Sequence, residues 1–305
     1  MAREPLATSP GEAATAQIAL RPQRSPWDNL RYTVRRKPLG TASGAVILSL
    51  ILMAVAADFL APYNPARTVP EWLLIRPNRE HLMGGDYLGR DILSNIIHGA
   101  RLSLAVGIIS VALGTATGSM LGILSGYFGG KTDFIIQRIV DSLMAFPTII
   151  LAIAIVAFMG SSAFNVMMAI GLTLTPSSSR VVRGAVLSVK QNQYVEAARA
   201  IGAGNIRIML RHILPNVTAP IIVLASIALG FAIIVEASLS FLGLGTPPPA
   251  ASWGRMLGGL AIQHMAIAPH TLIFPGMAIS IVVLSFNLLG DTVRDVLDPR
   301  LRGSR

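Results

Sequence analysis

The stretch that decides the fold is residues 102–128, LSLAVGIISVALGTATGSMLGILSGYF, which carries no formal charge. About 20 largely apolar residues are enough for a helix to cross the hydrocarbon core of a bilayer. This stretch therefore predicts a membrane-spanning helix. The composition agrees with it, because only 13% of the 305 residues are charged and 52% are hydrophobic. A soluble domain carries about 25% charged residues, since its surface faces water.

Working outward, five further apolar runs have the length or composition of a span. They are residues 39–61, 139–160, 163–179, 217–243 and 267–290. The run 163–179 is the weakest, because Pro176 and three serines dilute its end. Buried core helices of a large soluble protein are the alternative, but six long runs with so little charge argue against it. The sequence predicts an all-α integral membrane protein with six transmembrane helices.

The first run also has a feature of secretory signal peptides, Ala54-Val55-Ala56, which resembles a signal-peptidase site. A signal peptide is short, however, and its apolar region covers only about 7–15 residues. Here about 38 mostly polar residues precede a run that is long enough to span. We therefore expect residues 39–61 to be a retained first helix.

The basic residues predict the orientation, because lysine and arginine accumulate in cytoplasmic loops. With both termini inside, 19 of the 25 Lys and Arg residues face the cytoplasm and 6 face outward. This asymmetry also accounts for the net charge of +10 without nucleic acid. The predicted organisation is a cytoplasmic tail (1–38), a first helix (39–61), an external segment (62–100), a core (101–290) and a cytoplasmic tail (291–305).

The largest predicted internal loop, residues 194–216, has the pattern of a helix–turn–helix. Glu196–Ile201 is good helix-forming sequence, and Gly202 and Gly204 are natural stops. A second stretch, Ile206–Leu214, carries apolar residues at helical spacing and is expected to end before Pro215. Spacing alone leaves an ordinary interfacial helix equally open.

Three pieces of this loop resemble a known motif. Glu196-Ala197-Ala198, then Gly202, then Leu214-Pro215 resemble the EAA loop of permeases from ATP-binding-cassette importers. The resemblance implies that the loop contains a coupling helix, which docks into a cleft on a cytoplasmic ATPase subunit. At the place where the family pattern has Ile, two residues before Leu-Pro, this chain has His212.

Three further stretches narrow the resemblance. Residues 84–103, 236–254 and 286–300 contain GGDYLGRDILS with GARLS, EASLSFLGLG with SWG, and FNLLGD with LDPR. Together with the loop, and over roughly residues 27–302, they resemble the C-type permease of the dipeptide, oligopeptide, nickel and glutathione importers. That resemblance implies a type I importer fold in the bacterial inner membrane, and ATP-driven translocation of peptides or similar small solutes by alternating access. Nickel and glutathione remain alternative cargoes.

The resemblance also implies partners. They are a homologous B-type permease in a heterodimer, two cytoplasmic ATP-binding subunits and an extracytoplasmic substrate-binding protein. Neither a cofactor nor an enzymatic activity is expected of this chain. Ser125–Thr132 nearly matches a phosphate-binding loop, but it starts with Ser and ends a span instead of joining a strand to a helix. The five histidines are scattered and show no metal-ligand spacing.

Three of the charged residues within or beside the predicted spans are candidates for a specific role. Glu236 is placed in the fifth span, where an ionisable group faces a bundle interior or a water-filled path. It is a candidate translocation-path residue or a hydrogen-bonded anchor between helices. Arg138 and Asp141 stand three residues apart and are expected to pair on one helix face, and Pro147 is expected to kink that helix. A self-contained secondary transporter is the rival function, although no internal repeat supports it.

Overall fold

A computed structural model describes residues 37–297, and within that range the chain is helical. The α-helices are α1 (Pro38–Val55), α2 (Ala57–Leu60), α3 (Ile92–Phe128), α4 (Gly130–Met144), α5 (Thr148–Met159), α6 (Ala163–Val189), α7 (Gln193–Ala200), α8 (Asn205–Ile208), α9 (Leu214–Phe241), α10 (Trp253–Leu257), α11 (Leu260–Gln263) and α12 (His270–Leu297). A 3₁₀ turn covers Pro70–Trp72, and a π-helical turn covers Met209–Ile213. Most of the predicted N-terminal tail and the last eight residues of the predicted C-terminal tail lie outside the described residues.

The charge-free stretch forms the centre of α3. The helix begins after Asp91, whose carboxylate accepts a hydrogen bond from the backbone N–H of Ser94 at 2.8 Å. It ends at Gly129, where the backbone turns to a φ of +67°, a conformation that favours glycine. At 1.5 Å per residue, its 37 residues measure about 55 Å, so both ends extend beyond the hydrocarbon core.

Helix α3 packs most extensively against α6, and small residues make a close approach possible. A Cβ atom on Gly118 would lie 2.4 Å from the Cβ of Ser178 and 2.6 Å from the carbonyl oxygen of Thr175. Gly114 and Gly122 face α6 at similarly short range, one helical turn to either side. Membrane helices use such small residues to bring their backbones together, since lipid offers no hydrophobic drive for association.

The number of spans differs from the prediction. Among residues 37–297, four helical runs are long and apolar enough to cross a membrane: 38–55, 92–128, 205–241 and 270–297. The bent pair α4 and α5 makes a fifth if it is counted as one span. The structure thus supports four or five such spans instead of six, and the predicted span 163–179 is not among them. That segment is helical as part of α6, but its serines and the arginines that follow it make the helix less apolar, while α3 covers one of its faces.

The break between α4 and α5 is sharp, with an angle of 91° between the two helices. It falls at Ala145–Pro147, where Pro147 precedes the first residue of α5. A proline disfavours helical geometry in the residue before it. The kink expected at Pro147 is therefore confirmed.

The segment between α2 and α3, which the sequence predicts to be external, is ordered by its own polar contacts. Asp86 accepts from the backbone N–H groups of Leu88 and Arg90 and pairs with the Arg90 guanidinium at 2.7 Å. The imidazole of His81 contacts the Asp91 carboxylate at 2.9 Å and stacks on Tyr63. These contacts hold the residues directly before α3 in one conformation.

Candidate functional site

The first half of the loop 194–216 forms the helix and the turn that the sequence predicts. Helix α7 ends at Ala200, and Gly202 follows two residues later with a φ of +80°. The N–H of Ala203 donates back to the carbonyl of Ala198 at 3.0 Å. This is the glycine-terminated end that the sequence predicts. Nothing lies within 4 Å of the position that a Cβ atom on Gly202 would occupy. The turn is therefore open on its outer side.

The second half of the loop differs from the prediction. The helical stretch does not end before Pro215 but continues through the π turn into α9, which begins at Leu214. Proline is tolerated there because the π turn directly before it already interrupts the regular hydrogen-bond pattern of the helix. The π turn also divides the apolar residues, so that Met209 and Ile213 are buried whereas Ile206 and Leu210 are exposed.

Helix α7 has one buried and one exposed face. Val195 and Ala198 pack into an apolar cluster with Ile208, Ile213, Val182 and Val186, which belong to the loop and α6. The other predicted coupling residues point outward: Glu196, Ala197, Gly202 and Pro215 are exposed, and Leu214 is partly buried. Ile201, at the end of α7, is 86% exposed. The loop thus presents a mixed apolar and charged surface on a rigid base.

Two contacts join this loop to the end of α3, and a third joins the residue after α6 to the end of α3. The hydroxyl of Tyr127 donates to the side-chain oxygen of Asn205 at 2.8 Å. The guanidinium of Arg199 lies over the Tyr127 ring, 5.8 Å from its centroid. Lys190 donates to the carbonyl of Gly126 at 2.7 Å. Helix α3 and the loop consequently meet on the same side of the membrane.

Ion pairs connect α4 to α6 beside the loop. The Arg183 guanidinium donates two hydrogen bonds of 2.6 Å, one to each carboxylate oxygen of Asp133. Ser125, at the end of α3, also contacts Asp133. The sequence did not predict the fork between Asp133 and Arg183, and Ser125 was considered only as the start of the near match to a phosphate-binding loop. The only signal in the sequence is that Asp133 and Arg183 are oppositely charged. They are 50 residues apart, so their pairing depends on how α4 and α6 pack.

The predicted pair of Arg138 with Asp141 is not the ion pair that the structure contains. Asp141 forms a salt bridge with Arg180 of α6. Arg138 instead lies over the ring of Phe134, 5.2 Å from its centroid. The difference arises because α6 runs beside α4 and brings a guanidinium to Asp141 from outside its own helix.

Glu236 is 1% exposed and is surrounded by hydroxyl groups. One carboxylate oxygen accepts from Ser240 at 2.8 Å and from Ser252 at 3.1 Å, and the other accepts from Ser103 at 3.2 Å. These serines lie on α9, immediately before α10, and on α3. Ser240 was detectable from its spacing of four residues. Ser103 and Ser252 meet Glu236 only through the fold.

The residue after Ser252 completes this buried cluster. Trp253 is fully buried, and its indole N–H donates to the carbonyl of Ile96 at 2.9 Å. Its ring lies against Gly99, where a Cβ atom would come within 2.7 Å of the indole. Gly254 packs as closely against the backbone of Ala237. We call Ser103, Glu236, Ser240, Ser252 and Trp253 the external clasp, after the orientation that the sequence predicts for this end.

The segment resembling a phosphate-binding loop has another structural role. Ser125 and Gly126 lie in the last turn of α3, and Gly129 separates this helix from α4. Its glycines thus form a helix–helix junction, not the strand-to-helix loop that cradles phosphates. Within residues 37–297, no group of three or more metal-ligating side chains is present.

Two protein families match parts of this chain. Residues 118–303 match a family described as the binding-protein-dependent transport system inner membrane component. Residues 25–77 match the N-terminal transmembrane domain of oligopeptide transport permease C.

Among curated relatives, the glutathione transport system permease protein GsiD of Pectobacterium atrosepticum is 47% identical over 280 residues, which are 92% of this chain and 93% of the relative. GsiD of Escherichia coli is 44% identical over 281 residues, or 92% of each chain. An inward-facing structure of the MetNI methionine ABC transporter aligns with a TM-score of 0.55 at 19% identity, covering 67% of this chain and 96% of that one. This last similarity concerns the fold.

Proposed function

Because this chain belongs to the family of binding-protein-dependent transport system inner membrane components, and is thus a permease of an ATP-binding-cassette importer, we propose that its loop 194–216 couples transport to separate ATPase subunits. Its role is transport and not catalysis. The loop is well suited to transmit force, since α7 rests on a buried apolar base that continues into α6 and α9.

The observation that carries this proposal is the exposed end of α7. Ile201 is 86% exposed beside Ala197 and Gly202, while Val195 and Ala198 hold the helix from behind. Ile206 and Leu210 of the same loop are exposed as well, and a group of exposed apolar side chains marks a surface for a partner. An ATPase cleft that receives α7 would cover Ile201, and closure of two ATPases on ATP would displace the loop and reorient the helices.

The complete importer needs further subunits. We propose a related B-type permease as the second half of the pathway, two ATP-binding subunits, and a binding protein that delivers cargo from outside. The ordered segment 62–99 and the segment 246–266 are the candidate docking surfaces for that binding protein.

For cargo, we propose glutathione or short peptides of similar size. The support is the identity of 44–47% with permeases that are named for glutathione transport. Selection of the cargo is expected to rest largely with the binding protein. Glu236 is assigned here to anchoring the external clasp and not to the path, since three hydroxyl groups of the chain occupy both of its oxygens.

The test is reconstitution of the full importer in proteoliposomes with radiolabelled glutathione and, separately, a labelled dipeptide. Uptake that requires ATP and the ATPase subunits supports the coupling role. Uptake driven by an ion gradient without those subunits would support the secondary transporter. Ile201→Asp should reduce ATPase co-purification at least tenfold, whereas the control Leu82→Asp, on an exposed external residue, should leave it unchanged. Normal assembly of the Ile201→Asp importer would contradict the proposed contact.

A further inference from the structure

A cavity of about 630 Å³ lies between α4 and α6, next to the bend at Pro147. Its lining contains Gly130, Asp133, Phe134, Gln137, Arg138, Asp141, Arg180 and Arg183. Three guanidinium groups and two carboxylates thus face one space. The coupling loop does not contribute to this lining, and the cavity has no role in the function proposed above.

The charges in this cavity do not cancel. Arg183 is held by Asp133 and Arg180 by Asp141, with about half of the Arg180 side chain exposed. Within residues 37–297, Arg138 forms no salt bridge, and its guanidinium is supported by the Phe134 ring. One positive charge therefore remains, and Arg138 and Arg180 keep free donors. Arginine presents planar N–H donors that match the oxygens of phosphate.

The cavity lies at the level of one membrane surface. Helix α4 starts directly after α3 ends, on the side where Tyr127 contacts Asn205 of the coupling loop. The 91° bend relative to α5 turns α4 towards the membrane plane if α5 follows the bilayer normal. By the distribution of basic residues, this side faces the cytoplasm. Anionic phospholipids give the cytoplasmic leaflet its negative surface potential.

The surface beside the cavity is apolar. Phe134, Ile135 and Ile139 of α4 are each more than half exposed, whereas the polar residues of the helix face α6. A helix with one apolar and one charged face lies stably at the boundary between headgroups and acyl chains. A ligand that carries both a phosphate and acyl chains satisfies the cavity and this neighbouring surface together.

We propose that the α4–α6 cavity binds the headgroup of an anionic phospholipid from the cytoplasmic leaflet. Arg138 and the exposed side of Arg180 donate to the phosphate, and the acyl chains lie along Phe134 and Ile139. Basic pockets between membrane helices on the cytoplasmic side are known to bind such headgroups. The bound lipid would stabilise α4 at the bend and hold it against α6, immediately beside the coupling loop.

Native mass spectrometry of the assembled importer, released from nanodiscs of phosphatidylglycerol or of phosphatidylcholine, tests the proposal. We expect retained phosphatidylglycerol on the wild type and little retained phosphatidylcholine. Arg138→Gln should lower that retention about fivefold or more without disturbing either ion pair. Arg294→Gln, which removes an exposed charge at the predicted cytoplasmic end of α12, is the matched control and should retain lipid normally.

Two further experiments distinguish a bound lipid from other ligands. Inorganic phosphate at millimolar concentration should not displace the lipid, and displacement would assign the site to a free anion. Because the chain has no cysteine, Phe134→Cys can carry a short photoactivatable probe at a single site. A lipid adduct supports the proposal. An adduct to the second permease, or unchanged retention in Arg138→Gln, would overturn it.

Discussion

The two ends of the helix bundle differ in how many of their side chains are buried or hydrogen-bonded by contacts within the chain. At the external clasp, Trp253 and Glu236 are buried and their polar atoms are paired within the chain. At the loop 194–216, the proposed coupling loop, Ile201, Ile206 and Leu210 are 60–86% exposed although they are apolar. The external end is thus closed by intramolecular contacts, and the loop leaves apolar surface uncovered.

This difference follows from the cost of each arrangement. A buried carboxylate without donors is strongly destabilising, so Glu236 requires the hydroxyl groups that surround it. Exposed isoleucines cost less in the isolated chain and gain free energy only when a partner covers them. We therefore expect mutations at the external clasp to change stability, and mutations at the loop to change coupling. The following predictions are ordered by their expected effect on the free energy of unfolding.

The largest effect is expected for Trp253→Ala in the external clasp. It removes a fully buried indole and its hydrogen bond to Ile96, and large aromatic-to-alanine changes cost about 3–5 kcal/mol. Thermal unfolding of the purified importer in detergent should begin at a clearly lower temperature. Leu82→Ala, on an exposed external residue, serves as the control. Equal stability of the two variants would mean that the clasp does not hold the external end.

A smaller loss is expected when the fork between α4 and α6 is broken. Asp133→Asn weakens two charge-assisted hydrogen bonds to Arg183, a change of about 1.5–3 kcal/mol. The charge-reversed pair Asp133→Arg with Arg183→Asp should recover part of that loss. A double variant no more stable than Asp133→Asn would contradict a direct pairing. Because α6 leads into the loop, we also expect ATP-dependent uptake to fall when this ion pair is broken.

Gly202→Asp should alter coupling more than stability. Any side chain at a φ of +80° is strained by about 1–2 kcal/mol, and the new carboxylate would face the proposed ATPase cleft. Uptake should fall at least tenfold while expression and membrane insertion persist, as measured by transport and by membrane fractionation. Ser188→Asp adds the same charge to an exposed site on α6 and controls for it. Undiminished uptake in Gly202→Asp would argue against the coupling role.

The smallest effect concerns Asp58 at the external end of the first helix pair. A hydrogen bond from Arg101 is the main cause that lowers the pKa of the Asp58 carboxyl, with His98 contributing. A lowered pKa in the folded state contributes stability above the unfolded value of about 3.9, and this contribution is lost as the pH falls through the folded pKa. Asp58→Asn should therefore flatten the pH dependence of unfolding below about pH 4. Because Asp58 is exposed, the loss of stability at pH 7 is expected to be small. An unchanged pH dependence in the variant would contradict it.

Local sequence was sufficient for several elements of this structure. The lack of charge in residues 102–128 predicts α3, and the Gly202 stop and the Pro147 kink were both found where the residues place them. Each depends on a few neighbouring residues, because helix propensity, capping and the effect of proline act within one or two turns. The same locality made the motifs of the permease family recognisable.

Contacts between distant helices were decided by the tertiary structure. Asp141 pairs with Arg180 and not with Arg138, and Glu236 meets Ser103 across more than 130 residues of sequence. The sequence predicts residues 163–179 to be a span, but α6 is less apolar than the other long helices. Its small and polar residues pack against α3. By itself the sequence determined a membrane protein of this family and the place of its loop. Which side chains meet depends on how rigid helices pack, and no periodicity along one helix contains that information.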